Sequence, residues 1–350
     1  MGTTRNRQIE ILFSGEPSFR ARQAQEALFS PVFRSWDDVS SLPKSLRERL
    51  TDAIPWNRFV PVSVLGNARR DTWKALLQAE DGARIEAVLM RNSRGQFTVC
   101  VSTQVGCAMG CAFCATGRLG MTRNLAADEI VDQVRFFREY VTDNSLDGEV
   151  TNVVLMGMGE PLANYEEVRE ALLVLVGPMS VGPTRITVST VGILPGLGRL
   201  LDDPEWPPVR LAISLHCADE ERRRKMMPST APGFLDELAR WSDAYTKAFP
   251  EKRRHLTLEY VMLSGVNDTD RDLRNLVKLA WRMGRVRVNL IPYNATGSGF
   301  VGSPFETISR FRDGLAREGV TVTVRKSLGG DIAAACGQLA GKTVRKEEGS

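Results

Sequence analysis

Apolar positions along the chain follow two different spacings. Over the first 55 residues they recur as on helices, at Ser18–Phe29 and Ser45–Ala53, with Pro31, Pro43 and a turn at Asp37-Asp38 between them. From Phe59 to Val99 the spacing shortens to strand-like pieces, Val60–Leu65, Trp73–Gln78, Ile85–Met90 and Gln96–Val101, with turns at Asn67, Asp81-Gly82 and Ser93-Arg94-Gly95. Short β-branched runs then alternate with longer amphipathic ones. Strands are predicted at Phe97–Thr103, Thr151–Met156, Arg185–Thr190, Val209–His216, His255–Leu263, Val286–Pro292 and Thr321–Arg325. Helices are predicted at Ala127–Val141, Tyr165–Val176, Pro195–Leu201, Phe234–Ala248, Asp270–Met283 and Pro304–Glu318. Asp128 and Asp270 suit helix first turns, and Gly284 and Gly319 suit helix ends. Strand, helix, strand repeated about six times implies an α/β fold with a parallel sheet and right-handed crossovers. A helix after each strand favours a closed or partly open barrel over a doubly wound sheet. The expected organisation is a small helical/β accessory domain at 1–95, a barrel domain at 96–340 and a disordered tail at 341–350.

Composition narrows the class. The longest apolar run, Ala171–Val176, is far short of the ~18 residues a membrane span needs. The N-terminus lacks the apolar core of a signal peptide, so a cytoplasmic protein without membrane contact is expected. Net charge is +4, and residues 1–95 carry all of it, with 15 Lys+Arg against 11 Asp+Glu, whereas 96–350 hold 31 of each. That region could form an electrostatic landing surface for RNA phosphates, or simply a solvated face. Arg222-Arg-Arg-Lys225, Lys252-Arg-Arg254, Arg282, Arg285 and Arg287 are further candidates for phosphate contact, with the same alternative.

Six cysteines carry most of the chemistry. Cys107, Cys111 and Cys114 fall within eight residues, while Cys100, Cys217 and Cys336 are scattered, which is not a disulfide framework. A structural zinc site wants four ligands, and no second Cys-x-x-Cys or His-x-His pair exists. Three thiolates can hold a [4Fe–4S] cluster and leave one iron open to a ligand. Gly157, Gly159 and Glu160 end a predicted strand at the rim where barrel enzymes place their sites, and a carboxylate there suits an ammonium. The alternative is a strand-end turn with a solvated Glu160. Ser189, Ser214, Leu215, His216 and Asn294 also close strands and could supply polar contacts to a ligand. Cys336, among three alanines and a glycine, is either small core filler or a reactive thiol with room for a bulky cofactor.

The C-x3-C-x2-C motif, with Phe113 before its last cysteine, resembles the radical S-adenosylmethionine (SAM) enzymes. Within them, five segments in order resemble the RNA adenine methyltransferases of the RlmN and Cfr type. They are Cys100-Val-Ser-Thr-Gln-Val-Gly-Cys107, Met156-Gly-Met-Gly-Glu160-Pro161, Ser214-Leu-His216, Asn289-Leu-Ile-Pro-Tyr-Asn294 and Asp331-Ile-Ala-Ala-Ala-Cys336-Gly-Gln-Leu339. The resemblance runs from about Pro17 to Ala340. It implies a partial (β/α)6 barrel in which Cys107, Cys111 and Cys114 hold one [4Fe–4S] cluster. The open iron then takes the amino and carboxylate groups of SAM, with Gly159, Glu160, Ser189, Ser214, Leu215, His216 and Asn294 around it.

The resemblance further implies that one SAM methylates Cys336, and that a second is cleaved to a 5′-deoxyadenosyl radical which activates the S-methyl group. Cys100 would then release the product through a transient disulfide with Cys336. Glu86, in Arg84-Ile-Glu-Ala-Val88, matches the proton acceptor, although an exposed strand glutamate is otherwise a solvated carboxylate. The implied target is C2 of an adenine in 23S ribosomal RNA, with transfer RNA as a second target. The alternatives are C8 of the base, or a non-enzymatic metal or iron–sulfur RNA-binding protein. The implied electron donor is a flavodoxin or ferredoxin, and the implied state is a monomer. Met227-Pro-Ser-Thr-Ala-Pro-Gly233 and Asn294-Ala295 depart from the family pattern, in loops rather than in the cysteine motifs. Cys217 has no counterpart role and reads as structural, as does His255.

Overall fold

The computed structural model describes residues 4–250 and 255–341. Its strands are β1 Phe59–Gly66, β2 Thr72–Ala79, β3 Arg84–Arg91, β4 Phe97–Cys100, β5 Gln104–Cys107, β6 Gly120–Asn124, β7 Val150–Leu155, β8 Ile186–Thr190, β9 Arg210–Ser214, β10 Leu256–Met262, β11 Val286–Pro292 and β12 Thr321–Val324. The helices are α1 Arg5–Leu12, α2 Ser18–Phe29, α3 Lys44–Ala53, α4 Ala127–Asp143, α5 Tyr165–Val176, α6 Leu194–Asp202, α7 Glu220–Met226, α8 Phe234–Ala248, α9 Asp270–Met283 and α10 Phe305–Arg317.

Ten strands form one sheet in the order β1-β2-β3-β4-β7-β8-β9-β10-β11-β12, and β5 and β6 form a separate ribbon. The first four strands are antiparallel, and from β4 to β12 every pairing is parallel. The barrel is therefore partial, as expected, and the accessory strands β1–β3 continue its sheet at one edge. Strand alternation divides the residues between two faces. Val153, Leu155, Ile186, Val188, Leu211, Ile213, Leu258, Tyr260, Val288 and Leu290 are buried in the core. On the other face, Ser189, Ser214, Glu259 and the Met156 position line a crevice. After β12 the chain crosses back to the accessory strands, where the Lys74 ammonium donates to the Ala333 carbonyl over 3.1 Å.

Several predicted boundaries moved for local reasons. The strand expected over Phe97–Thr103 stops at Cys100, and the chain re-enters a strand at Gln104 to pair with β6. At Gly106 φ is +81°, and a Cβ would sit 2.0 Å from the Gly120 carbonyl oxygen, so only glycine closes this ribbon. The strand expected over Val209–His216 ends at Ser214 because His216 takes a φ of +56°. Helix α1 buries Ile9 and, just past its end, Phe13 in the core, and a buried polar anchor fixes its start. The Arg5 guanidinium bonds Asp132 and lies 3.5 Å from Asp128, both on α4. Arg135 donates to Asp132 over 2.7 Å and to the Leu28 carbonyl over 2.7 Å, tying α4 to the N-terminal helices. Although buried, Asp132 is held below the usual carboxylate range because Arg5 and Arg135 outweigh the desolvation that would raise it. Its contribution to stability is thus present above the unfolded-state pKa and is lost as pH falls through the lowered folded-state value. Asp132→Ala leaves two buried guanidinium groups short of a partner and is expected to cost about 3–5 kcal/mol, read as a lower denaturation midpoint in urea.

The phosphate-contact candidates separate. Arg223 of the Arg222–Lys225 run is buried at 1% exposure, so it does not belong to a phosphate-binding face. Lys252, Arg253 and Arg254, and the tail from 342 onward, lie outside the described residues. Among the described residues no helix is long and apolar enough to cross a membrane.

Candidate active site

The parallel strands end on one rim, and their last residues surround a crevice of about 1350 Å³, its mouth included. Cys100 ends β4 there, followed by a segment that organises the site. The Ser102 hydroxyl donates to the Glu86 carbonyl (2.7 Å) and accepts from the Met158 amide (2.9 Å). Gln133 of α4 clamps the Ser102 backbone from both sides, at 2.7 and 2.9 Å. Gln104 accepts from the Glu160 amide over 2.9 Å and donates to Asn124 over 2.8 Å. Gly157 and Gly159 press against this segment, where a Cβ would meet Val101 O at 2.7 Å and Gln104 Cβ at 2.6 Å respectively. These glycines are required by packing between two rim loops, a role that spacing alone does not reveal.

Glu160 lines the crevice yet is almost fully buried. Its carboxylate accepts from the Leu162 amide (3.0 Å) and the Val191 amide (2.8 Å), and among the described residues no basic side chain pairs with it. Burial raises its pKa, while Thr190 and these two amides draw it down. A ligand cation would complete this site. Ser189 and Ser214 stand 3.2 Å apart on neighbouring strands. The His216 Nδ1 accepts from the Val261 amide over 3.1 Å, which leaves the proton on Nε2. Burial, with Arg223 second, pulls His216 down to about 3, so it is neutral at ordinary pH. Asn294 accepts from the Ser327 hydroxyl, and both line the crevice. Leu215 is the exception among the predicted ligand contacts: its side chain is fully buried in the core and does not line the crevice.

Cys107 ends β5, and Cys111 and Cys114 follow on the loop before β6. All three line the crevice. The loop is fastened on three sides. The Ala112 amide donates to Met226 O (2.9 Å), Thr296 donates to Phe113 O (3.0 Å), and the Ala115 amide donates to Gly337 O (2.8 Å). Among the described residues no three His, Cys, Asp or Glu side chains converge as ligands of a single metal ion. A cubane cluster asks for something else, because each thiolate binds its own iron and the donors need only face one cavity. This donor set fits a [4Fe–4S] cluster with an open iron. Burial pushes the Cys107 thiol up to about 11 and raises Cys111 as well.

Cys336 enters the crevice from the crossing C-terminal segment and is exposed, and the buried Cys100 lines the same crevice. Burial and then the nearby Cys336 push Cys100 up to about 12. Arg325, absent from the sequence-based set, lines the same wall. It lies 3.5 Å from Glu259, which accepts from Asn289 over 2.9 Å. Glu86 does not line the crevice. It is buried under the C-terminal segment, 2.9 Å from the Lys74 ammonium, and accepts from the amides of Ala340 (2.6 Å) and Gly341 (3.1 Å). A lysine within the apolar run Trp73–Leu77 is the signal that could have flagged this pair. Cys217 is fully buried beside Met226, Met227 and Phe113.

The sequence profile of the Radical SAM superfamily matches residues 101–279. The dual-specificity RNA methyltransferase RlmN of Solidesulfovibrio magneticus is 42% identical over 97% of this chain and 95% of its own length. That of Syntrophobacter fumaroxidans is 41% identical over 93% and 92%. The chain belongs to the RlmN-type family of radical SAM RNA methyltransferases. The crystal structure of a radical SAM methyltransferase from Sphaerobacter thermophilus, 37% identical, superposes with a TM-score of 0.88 over 97% of this chain and 98% of that one. RlmN-type enzymes are radical SAM proteins, and the family implies SAM and a [4Fe–4S] cluster for this chain.

Proposed function

We propose that this protein transfers a methyl group from SAM, by way of Cys336, to C2 of an adenine in 23S ribosomal RNA, with transfer RNA as a second substrate. The observation that carries the reading is one crevice shared by Cys107, Cys111 and Cys114, a buried unpaired carboxylate and two further cysteines, Cys100 and Cys336. Cys107, Cys111 and Cys114 would hold the cluster, and Glu160 would take the ammonium of SAM. Ser189, Ser214, His216 and Asn294 supply the remaining polar contacts, with Gly159 giving shape to the rim and Leu215 contributing only through its backbone. Bound together, the cluster and SAM supply a carbon radical that can remove hydrogen from an S-methyl group.

Adenine C2 lies between two ring nitrogens and is too electron-poor to attack the methyl of SAM. Cys336 solves this by accepting the methyl itself, displacing S-adenosylhomocysteine and losing its thiol proton. After hydrogen removal its methylene carbon bonds to the base, leaving an unpaired electron there; Glu86 takes the ring proton, and that one electron would return to the oxidised cluster that Cys107, Cys111 and Cys114 would hold. To do so, Glu86 must be released by Ala340 and Gly341, so the C-terminal segment lifts when RNA enters. Cys100 then attacks the Cys336 sulfur, the disulfide forms, and the carbon leaves with the bond pair and a proton as methyl. The base must be unstacked to reach this depth, and residues 1–95 serve as the docking module. A flavodoxin or ferredoxin is the proposed electron donor to a monomeric enzyme in the cytoplasm.

Anaerobic reconstitution with iron and sulfide, followed by SAM and a reductant, tests the reading. Broad cluster absorbance, 5′-deoxyadenosine and labelled RNA are expected, and absence of all three would sink it. Glu160→Gln removes one hydrogen-bonded charge pair and is expected to weaken SAM binding about 10- to 100-fold at unchanged iron content. Unaltered affinity by equilibrium dialysis would remove Glu160 from the site.

A further inference from the structure

Among the described residues three arginines, Arg5, Arg135 and Arg223, are almost completely buried, and one of these lacks a carboxylate. Arg5 and Arg135 share Asp132, as described above. Arg223, on α7, is instead surrounded by neutral acceptors. Its Nε donates to Leu215 O (3.0 Å), one Nη to the Thr230 hydroxyl (2.7 Å), and the other to Val191 O (2.7 Å) and Ser214 O (3.1 Å). Its guanidinium also lies 3.9 Å from the centre of the Phe234 ring. Among the described residues no carboxylate forms an ion pair with it. A charge taken out of water without a counter-charge is costly, and neutral acceptors do not return that cost.

The position of Arg223 supplies the missing anion. Val191 and Ser214, whose carbonyls it holds, line the crevice, and the last residue of its helix accepts from Ala112 in the loop between Cys111 and Cys114. Cys111 and Phe113 of that loop pack in one buried cluster with Met226, three residues on from Arg223. We propose that Arg223 is the buried counter-charge of the iron–sulfur cluster, a positioning residue that makes its one-electron reduction easier. This rests on the reading that Cys107, Cys111 and Cys114 hold a [4Fe–4S] group. A core with two positive charges and three thiolates carries one net negative charge, which becomes two when a low-potential one-electron donor reduces it. A fixed cation behind the loop favours the reduced form more than the oxidised one. Arg223 thereby eases the electron transfer that SAM cleavage requires, without touching SAM or RNA.

The experiment is a potentiometric titration of the reconstituted holoenzyme with dithionite and viologen mediators, followed by electron paramagnetic resonance. Arg223→Gln should hold its iron yet show at least tenfold less reduced cluster at a fixed ambient potential, a downward shift of about 59 mV or more. Arg223→Lys keeps the charge while losing several of the hydrogen bonds, so its midpoint should stay close to that of the unaltered enzyme. It also serves if the glutamine variant does not fold. A glutamine variant with an unchanged midpoint, or a lysine variant shifted downward by a comparable amount, would overturn the proposal and leave Arg223 as a brace between strand ends. Failure of the unaltered protein to show a reducible cluster would overturn the cluster reading along with it.

Discussion

Cys336→Ala is expected to lower RNA methylation by about 10³-fold or more, because no other thiol can carry the methyl group into contact with the base. Cys100 is buried at the end of β4, whereas Cys336 is exposed in the crevice. Cys217 is walled off by Met226 and Met227. The variant should retain its iron, since Cys336 is not one of the three loop cysteines. The measurement is transfer of a deuterated methyl group from SAM into RNA, scored alongside iron content. Normal transfer by a variant with full iron would remove Cys336 from the carrier role.

Cys100→Ala is expected to fail at the other end of the cycle. The methylene bridge from Cys336 to the base still forms, but no thiol is placed to attack the Cys336 sulfur. The enzyme should stall after at most one turnover as a covalent protein–RNA species that migrates slowly on a denaturing gel and is destroyed by nuclease. Multiple turnovers without an adduct would show that another group releases the product. The two variants have opposite signatures at one site, one leaving no adduct and the other accumulating it. General damage to the crevice would not produce that contrast.

The long amphipathic elements were legible in the sequence because their burial is apolar and periodic. Tyr165–Val176, Phe234–Ala248 and Asp270–Met283 appear with the expected bounds. What escaped was held in good part by polar contacts between residues far apart in sequence. Helix α1 depends on Arg5 meeting Asp128 and Asp132, more than a hundred residues away. Helix α7, with its run of charges, looks like a solvated face until Arg223 turns inward. Cys107, Cys111 and Cys114 line the crevice because they stand at, or follow closely, the end of β5. Lys74, Arg325 and the covering of Glu86 depend on the C-terminal segment crossing back to β2 and β3, a return path that no local pattern encodes. Leu215 sits inside a motif whose neighbours reach the crevice, but it follows the end of β9 and its own side chain is buried in the core.

The central claim is that this chain methylates adenine carbon through Cys336, and that C2 is the carbon. Nucleoside mass spectrometry of 23S ribosomal and transfer RNA, from cells with and without the protein, tests it most directly. The account predicts 2-methyladenosine in the first sample and its loss from the second, with return on expression of the unaltered protein but not of Cys336→Ala. An unchanged 2-methyladenosine content, or dependence of 8-methyladenosine on the protein instead, would contradict it.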